Sequence, residues 1–588
     1  MLRNKTSKKI FDIFFPRGSR HELFLRTLYH KVMANRFIVR QKIRKANNSY
    51  RRFKKLQDNA PLPILTCPPA LPAVTFFLAV RKGTENLAGR TIDSLQNLAL
   101  PNWQVVPVLE DSPISIGQNA ERSADPRIKP AVQWNEFALG QLITDQDGAS
   151  VFCDSGDIFD KSLLNHYYAF VSSEVKKDII YYDCEYLSSA GGPKPFFKPS
   201  ALTPELLISN NYFSRGVFRN ASMAAVELKI EEFSNLLALE YALALKLAAR
   251  HCSIQHIPAV LVSIQGRNDA GKDALLPVLK KHYTELGFRD VEIQHDGNGR
   301  KINWQYGNPS AAIIILSRNH GNWLRTLVQS IQTRTDYANY SIVIVDNQST
   351  ETELLNYYQE LEDNPQVKVV PYPQDFNYST AINLGVASTS AEIVVLLNND
   401  MQVIEPSWLN ELVQWASHPE IGVVSARLLY PNRTIQHAGF IIGMNNYSGH
   451  LYLNAPENYF GLTGSVMWYR NFHAVTGACQ AMRRTLFEQL GGYDERYRLV
   501  FGDVHFCLRA ENAGFRNLYN PYATLIHFEG GSRGVETPRD DIQLGCEEII
   551  DNFEGGDPFF ASHLSYTNIP YCLLPKKGNP ITRKEERA

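Results

Sequence analysis

Three residues stand in this chain where chemistry could use them: Asp400, Asp503 and His527. Asp400 closes the run Asn398-Asn399-Asp400, directly behind the apolar stretch Ile393-Val394-Val395-Leu396-Leu397. Carboxylate and amide oxygens gathered at the end of a buried strand can hold a hard divalent cation, Mg2+ or Mn2+. Such ions take one or two protein carboxylates and fill other positions with substrate phosphate, which fits a nucleoside diphosphate. The same Asn/Asp cluster is also an ordinary way of turning a chain at a strand end. Asp503 is an acid just before a helical pattern, and His527 ends a further strand-like run. A lone histidine after a strand is commonly a hydrogen-bonded structural residue, so His527 gains meaning only beside the others.

These residues need a scaffold, and the chain writes one twice. Ala311 to Leu316 is a short apolar run leading into Ser317-Arg318-Asn319, a helix over Leu324 to Gln332, and a second apolar run, Ser341 to Val345, ending in Asp346-Asn347. Earlier, Val74 to Val80 leads into Arg81-Lys82-Gly83, a helix over Ala88 to Leu98, and Trp103 to Leu109 ending in Glu110-Asp111. Val151 to Asp157 matches Val395 to Asp400, and Leu239 to Lys246 matches Gly502 to Arg509. Strands alternating with helices imply mostly parallel sheet, because parallel strands need a crossover. The expectation is an α/β protein with two tandem Rossmann-like domains, 71–264 and 309–534. A basic helical arm (1–70), a connector (265–308) and a loosely packed, proline-containing extension (535–588) complete the chain.

Ligands of open α/β sheets bind outside the carboxyl ends of the strands. Ser317, Arg318, Asp346, Asn347, Asn398, Asn399 and Asp400 all follow strands in the second copy. Asn377 and Asn383 belong to Pro373 to Gly385, a loop entering a helix whose first free N–H groups could meet phosphate.

Sixty basic residues balance sixty acidic ones over 588 residues, yet the first sixty residues carry a surplus of fourteen positive charges. His21 to Leu56 lacks Pro and Gly, with Leu25, Leu28, Val32, Val39 and Ile43 near one helical face, and Phe11, Phe14 and Phe15 precede it. Such an arm suits either a helix on the enzyme body or peripheral contact with an anionic membrane surface. The domains themselves are acidic, so no nucleic-acid partner is expected. No window of about 18 consecutive apolar residues exists, and charge interrupts Met1 to Arg20, so neither a spanning helix nor a secretory signal is expected. Eight scattered cysteines form no CxxC pair, which fits a cytoplasmic protein without a zinc ribbon.

The second copy resembles the family-2 glycosyltransferases of the GT-A fold, especially bacterial rhamnosyltransferase-like enzymes of surface-polysaccharide assembly. Ile313 to Arg318, Val343 to Ser349, Asn377 to Gly385, Leu396 to Asp400, Ala474-Val475-Thr476-Gly477-Ala478, Gly491 to Asp494, Asp503 to Arg509 and His527 to Gly534 carry the likeness, in the family's order. The resemblance implies an inverting, metal-dependent transfer from a nucleotide sugar, dTDP-rhamnose or a UDP-hexose, to a glycan or lipid-linked acceptor at the inner face of the cytoplasmic membrane. It places Asp346 at the base, Asn398 near the ribose, Asp400 and His527 on the cation, Asp503 as catalytic base, and Gly477 against donor sugar and acceptor. Two positions depart from the family. Gly502-Asp503-Val504-His505 stands where Glu-Asp-x-Asp is common, and Asn398 replaces the first Asp of the metal motif.

The first copy keeps Glu240 at the base position but has Gly156 where the metal-binding Asp belongs, between Asp154 and Asp157. A degenerate domain that binds polysaccharide or braces its partner is the expectation, with a bifunctional transferase as the alternative. A nucleotide-binding protein without turnover is the non-enzymatic reading. A nucleotidyltransferase would want a Gly-rich basic loop where Ser317 to Asn322 has one glycine.

Overall fold

In the computed structural model the apolar runs become central strands of two sheets. The structure describes residues 36–63, 72–111, 125–142, 145–171, 176–188, 191–265, 274–296, 299–528, 538–553 and 555–566. After a helix α1 (Arg36–Asp58), the first sheet uses β1 (Val74–Val80), β2 (Trp103–Leu109), β3 (Ala149–Asp154), β4 (Ile179–Ser188), β5 (Val217–Arg219) and, beyond helix α2 (Leu236–Ala249), β6 (Ile254–Gln265). Their order is β2-β1-β3-β5-β4-β6. β1 is parallel to β2 and β3, β5 is antiparallel to both neighbours, and β4 is parallel to β6.

The second sheet repeats this plan. β7 (Ala311–Ser317), helix α3 (Gly321–Arg334), β8 (Tyr340–Asp346), β9 (Val367–Pro371), helix α4 (Tyr378–Ala387) and β10 (Ile393–Leu397) build its parallel block. Then come β11 (Met401–Val403), β12 (Ile421–Leu429), β13 (Ile435–His437), β14 (Phe440–Ile442), β15 (Ser448–His450), β16 (Cys479–Arg483), helix α5 (Gly502–Asn512) and β17 (Arg516–His527). The order β8-β7-β10-β16-β12-β17 matches the first sheet strand for strand, with the same pair directions. The repeat read in the sequence is therefore a repeat of topology.

Strands covered on both faces read as continuous apolar runs, which is why Ile313, Ile314 and Ile315 are all buried. Alternate side chains divide between two cores. Ile313, Ile315, Val395 and Leu397 join a core continuous with the first domain, whereas Ile314, Leu396, Ala381, Ile382, Val504 and Phe506 lie on the side of α4 and α5. Gly385 lets α4 approach the sheet: a Cβ there would stand 2.4 Å from Ile314 Cγ2 and 3.0 Å from Val345 Cγ2. Gly385→Ala is expected to cost about 1–3 kcal/mol through overpacking, measured as a fall in the denaturation midpoint.

The flanking segments pack against the two sheets. The connector carries, besides a helix over Leu275–Glu285, an antiparallel pair, Arg289–Asp296 with Gly299–Gln305. Trp304 of that pair packs edge-on against Trp415 with centroids 4.8 Å apart. The extension after Gly534 is not loosely packed where it is described. Ile549, Ile550, Phe560 and Leu564 are buried, and Ser200 N donates to Pro558 O at 2.8 Å, so this segment touches both domains. Of the basic arm, Arg36–Asp58 is the helical part described, while Phe11, Phe14, Phe15, Leu25, Leu28 and Val32 lie outside the described residues. One face of α1 docks on the body: Ala46 and Tyr50 are buried, and Gln57 both donates to Val260 O and accepts from Val260 N at 2.9 Å. Arg44, Lys45, Arg51, Arg52 and Lys55 are exposed. Among the described residues, no helix is long and apolar enough to cross a membrane.

Candidate active site

A cavity of about 670 Å3 opens at the carboxyl ends of β7 and β10 and the start of α5. Ser317, Arg318, Asn398, Asn399, Asp400, Gly477, Asp503 and His527 all line it, although they come from five separate stretches of chain.

Asp400 is positioned by a strand pair. β11 runs antiparallel to the end of β17 with Met401 opposite His527, and Phe528 N donates to Asp400 O at 3.0 Å. Asp400 Oδ1 and His527 Nε2 consequently stand 3.2 Å apart, both residues nearly buried. Across the cavity, Asp503 sits in the first turn of α5. Gly477 N donates to its Oδ2 at 2.7 Å and Val504 N to its Oδ1 at 2.9 Å. A Cβ on residue 477 would lie 3.0 Å from Asp503 Cβ, so this loop approaches the carboxylate as closely as it does because residue 477 has no side chain. Gly502, standing where the family commonly has Glu, is fitted as tightly: a Cβ there would meet Ser379 Oγ at 3.0 Å. His505 turns away from the cavity toward Asp494 and Glu548, at 3.9 Å from each. These three could surround a cation in geometry. However, Arg496 already bridges the two carboxylates, at 2.6 Å from Asp494 and 2.7 Å from Glu548.

Four residues expected to meet the donor lie outside the cavity lining. Asp346 pairs with Ser317 in the sheet register, and its carboxylate accepts from Tyr358 OH at 2.9 Å and Ser349 N at 3.3 Å. Asn347 is buried and its amide donates to Tyr372 O and Gln374 O. Asn377 caps α4, accepting from Thr380 N at 3.2 Å, and donates to Glu495 O at 2.8 Å. Asn383 accepts from Tyr493 N at 2.8 Å and donates to Tyr493 O at 2.9 Å. The amides of Asn347, Asn377 and Asn383 thus brace neighbouring loops. Conversely, Gln436, Phe440, Ser448 and His450 line the cavity without having been picked from the sequence. They belong to a Gly- and Asn-rich stretch with no periodicity to mark it.

The equivalent place in the first domain is occupied by its own side chains. Strand register puts Arg81, Glu110, Asp154 and Gly156 at the positions of Arg318, Asn347, Asn398 and Asp400. Arg81 is tied to Glu110 at 2.6 Å and Asp154 at 2.9 Å, whereas Arg318 is exposed and makes no ion pair among the described residues. Glu240 is 1% exposed, accepting from Arg215 N at 2.8 Å and Ser214 Oγ at 3.1 Å. Burial pushes its carboxyl up to about 7 against the opposing pull of Arg215. Arg215 is itself held by Asp157 at 2.6 Å.

Residues 312–491 match the family model described as Glycosyl transferase family 2. The chain carries a family 2 glycosyl transferase domain. Three relatives place this domain in context. The chain is 32% identical over 495 residues to uncharacterized protein y4gI of Sinorhizobium fredii (strain NBRC 101917 / NGR234), covering 79% of itself and 54% of that protein. It is 33% identical over 405 residues to O-antigen biosynthesis protein RfbC of Myxococcus xanthus, covering 66% of itself and 32% of that protein. A third match, 24% identical over 247 residues, is to N-acetylglucosaminyl-diphospho-decaprenol L-rhamnosyltransferase of Mycobacterium tuberculosis, covering 38% of this chain and 77% of that one. The chain therefore spans about half the length of the first relative and a third of the second. The family 2 domain contains the Asp400 end of the cavity and Gly477, while Asp503 and His527 lie just beyond the matched segment.

Proposed function

We propose that the chain is an inverting glycosyltransferase that moves a sugar from a nucleoside-diphosphate donor to a hydroxyl of a growing cell-surface polysaccharide or lipid-linked glycan. The observation that carries this reading is the convergence of Asp400, His527 and Asp503 on one cavity. Ser317, Arg318 and Asp346 take the nucleotide end, with Asn398 and Asn399 beside the ribose and phosphates. Arg318, exposed and without an ion pair among the described residues, supplies positive charge to the diphosphate.

Asp400 and His527, a carboxylate and an imidazole 3.2 Å apart, buried but lining the cavity, would hold a Mg2+ or Mn2+ ion there. When bound, such an ion neutralises charge on the departing diphosphate. Asp503 accepts the proton of the acceptor hydroxyl as its oxygen bonds to the anomeric carbon and the bond to the diphosphate oxygen breaks. One displacement inverts the anomeric centre and needs no covalent nucleophile. The backbone N–H groups of Gly477 and Val504 hold the carboxylate toward that hydroxyl.

The name of one relative, a rhamnosyltransferase, favours a rhamnose donor such as dTDP-rhamnose over a UDP-hexose, and the names of two favour a lipid-linked or O-antigen-type acceptor. Such an acceptor places the enzyme at the inner face of the cytoplasmic membrane. The exposed basic row on α1 supports peripheral contact there, since anionic lipid attracts each Lys or Arg near the surface by about 1 kcal/mol.

The test is a panel of nucleotide sugars with and without Mn2+, read first as thermal shift and then as release of nucleoside diphosphate with a glycan acceptor. A donor at 100 times its Kd adds about 2.7 kcal/mol of stability. Binding of no sugar nucleotide refutes the donor assignment, and binding without turnover on any acceptor leaves a nucleotide-binding protein.

A single working site is part of the reading, because Arg81 with its two carboxylates fills the nucleotide end of the first domain. Glu240→Gln is accordingly expected to leave transfer per folded molecule intact, with any change confined to melting temperature. Loss of transfer in Glu240→Gln would establish two working sites.

A further inference from the structure

Leu499, Val500 and Phe501 line one side of the cavity and lead directly into Gly502-Asp503. The backbone N–H groups of Arg498, Leu499 and Val500 all end on one carboxylate. They donate to Asp541 at 3.1, 2.7 and 2.9 Å, and Asp541 is fully buried. Successive N–H groups converging in this way form a concavity that selects an anion. Asp541 lies beyond the segment that matches the family, in the first turn of helix α6 (Arg539–Glu548) of the extension. An acid is favoured at that end of a helix.

The rest of α6 follows the same loop. Glu548, its last residue, accepts from Tyr497 OH at 3.1 Å and pairs with Arg496 at 2.7 Å. Gly545, one turn beyond Asp541, lies against the Phe501 ring, where a Cβ would stand 2.5 Å from Cδ2. Phe501 precedes α5 with φ +67°, a conformation that a bulky residue keeps only where its surroundings impose it. Its carbonyl accepts the opening bond of α5, from His505 N at 2.8 Å. The direction in which α5 sets off, and with it the Asp503 carboxylate, is thus tied to where Phe501 is held.

The loop is also fastened to α4, where Tyr378 N donates to Arg498 O at 2.7 Å and Ser379 Oγ to Tyr497 O at 2.6 Å. Those bonds use carbonyls of the loop and leave its three N–H groups to Asp541. An N–H group that loses its acceptor is costly, so without the carboxylate the loop would move to find others. Such a shift reaches Asp503, three residues beyond Val500, and the bonds it accepts from Gly477 N and Val504 N. Misplacing a reacting group by about 1 Å costs on the order of 100-fold in rate. The extension braces a second part of the lining as well. Asp557 accepts from Ile442 N at 2.8 Å, at the end of β14, whose Phe440 lines the cavity.

We propose that Asp541 is a positioning residue of sugar transfer, which fixes the 498–501 loop and thereby the direction in which Asp503 meets the acceptor hydroxyl. The extension is then a working part of the site. The proposal rests on the transferase reading, and its test separates the two. Asp541→Asn keeps the shape but turns an amide N–H group against backbone donors. Gly545→Ala pushes on Phe501 from the same helix and leaves Asp541 in place. Asp178→Asn is the matched control, because Asp178 of the first domain likewise accepts from Ser253 N at 2.7 Å and from the hydroxyls of Ser253 and Ser222. Each full-length variant is compared with the wild type in three measurements: melting temperature, kcat and donor KM for nucleoside-diphosphate release, and hydrogen exchange of peptides spanning 474–479 and 498–506.

Asp541→Asn and Gly545→Ala are each expected to lower kcat by about 10–100-fold while donor KM stays within about twofold of the wild type. Exchange quickens in both peptides, including the one that carries Gly477, which α6 does not touch through Asp541 or Gly545. Asp178→Asn lowers the melting temperature but leaves kcat at the wild-type value, which separates positioning from stability. Wild-type kcat in folded Asp541→Asn or Gly545→Ala overturns the role, as does a kcat that falls in all three variants in step with melting temperature. Should Asp541→Asn fail to fold, Gly545→Ala decides alone. Absence of turnover in the wild type with every donor refutes the transferase reading instead. Hydrogen exchange then judges the positioning, and an unchanged 474–479 peptide in the α6 variants overturns it.

Discussion

Asp503→Asn is expected to lower the rate of sugar transfer by about 10²–10⁴-fold, the usual contribution of a positioned general base, while the donor still binds. The substitution keeps shape and removes only proton affinity. In the native site Gly477 N and Val504 N both donate to the carboxylate, at 2.7 and 2.9 Å. An asparagine can accept from one of them, but its amide N–H group then meets the other donor. A stability loss of about 1–3 kcal/mol is therefore expected beside the catalytic one, because one buried donor loses its acceptor. The two effects are separable: a melting curve with donor present reports folding and binding, and release of nucleoside diphosphate with acceptor reports chemistry. Unchanged turnover in a folded variant would remove Asp503 from the mechanism.

This contrast also shows where the sequence was informative. Continuous apolar runs such as Ala311 to Leu316 had to be strands covered on both faces, and ligand sites of such sheets lie at the carboxyl ends. Ser317, Arg318, Asn398, Asn399 and Asp400 followed from that rule, and all of them line the cavity. The repeat was legible for the same reason, since topology is written in the spacing of apolar runs. What periodicity cannot show is the partner of a polar side chain. Asn377 and Asn383 look like phosphate ligands at a helix start, but their partners are the backbone and side chain of residues 493–495, over a hundred positions away. Arg81 and Arg318 occupy equivalent positions in the two repeats. Only the folded chain reveals that Glu110 and Asp154 close on the first and leave the second exposed. Gln436, Phe440, Ser448 and His450 line the cavity without a mark in the sequence, because residues 438–450 carry no hydrophobic period. The Arg289–Asp296 and Gly299–Gln305 pair leaves little mark in the sequence because both strands are largely polar.

Asp400→Asn should invert the metal response of donor binding, a result harder to explain by misfolding than simple loss of activity. In the wild type, the Asp400 carboxylate and the donor diphosphate are both negative and face the same cavity. At a separation near 5 Å and an effective dielectric of about 20, their repulsion is about 3 kcal/mol when no cation lies between them. His527, 3.2 Å from Asp400 Oδ1, relieves this only when protonated. Without Mn2+, Asp400→Asn removes the repulsion, and the variant is expected to bind the nucleotide sugar more tightly than the wild type. With Mn2+, Asp400 and His527 would hold a cation whose charge offsets that of the diphosphate, a role the amide supports poorly, so the order reverses. Transfer by the variant falls sharply because charge on the departing diphosphate is no longer neutralised. Titrating the nucleotide sugar into both proteins, in chelator and in millimolar Mn2+, checks the crossing directly. A merely structural Asp400 would shift both titrations in the same direction; a crossing of the two affinity curves requires that its charge faces the diphosphate through a cation.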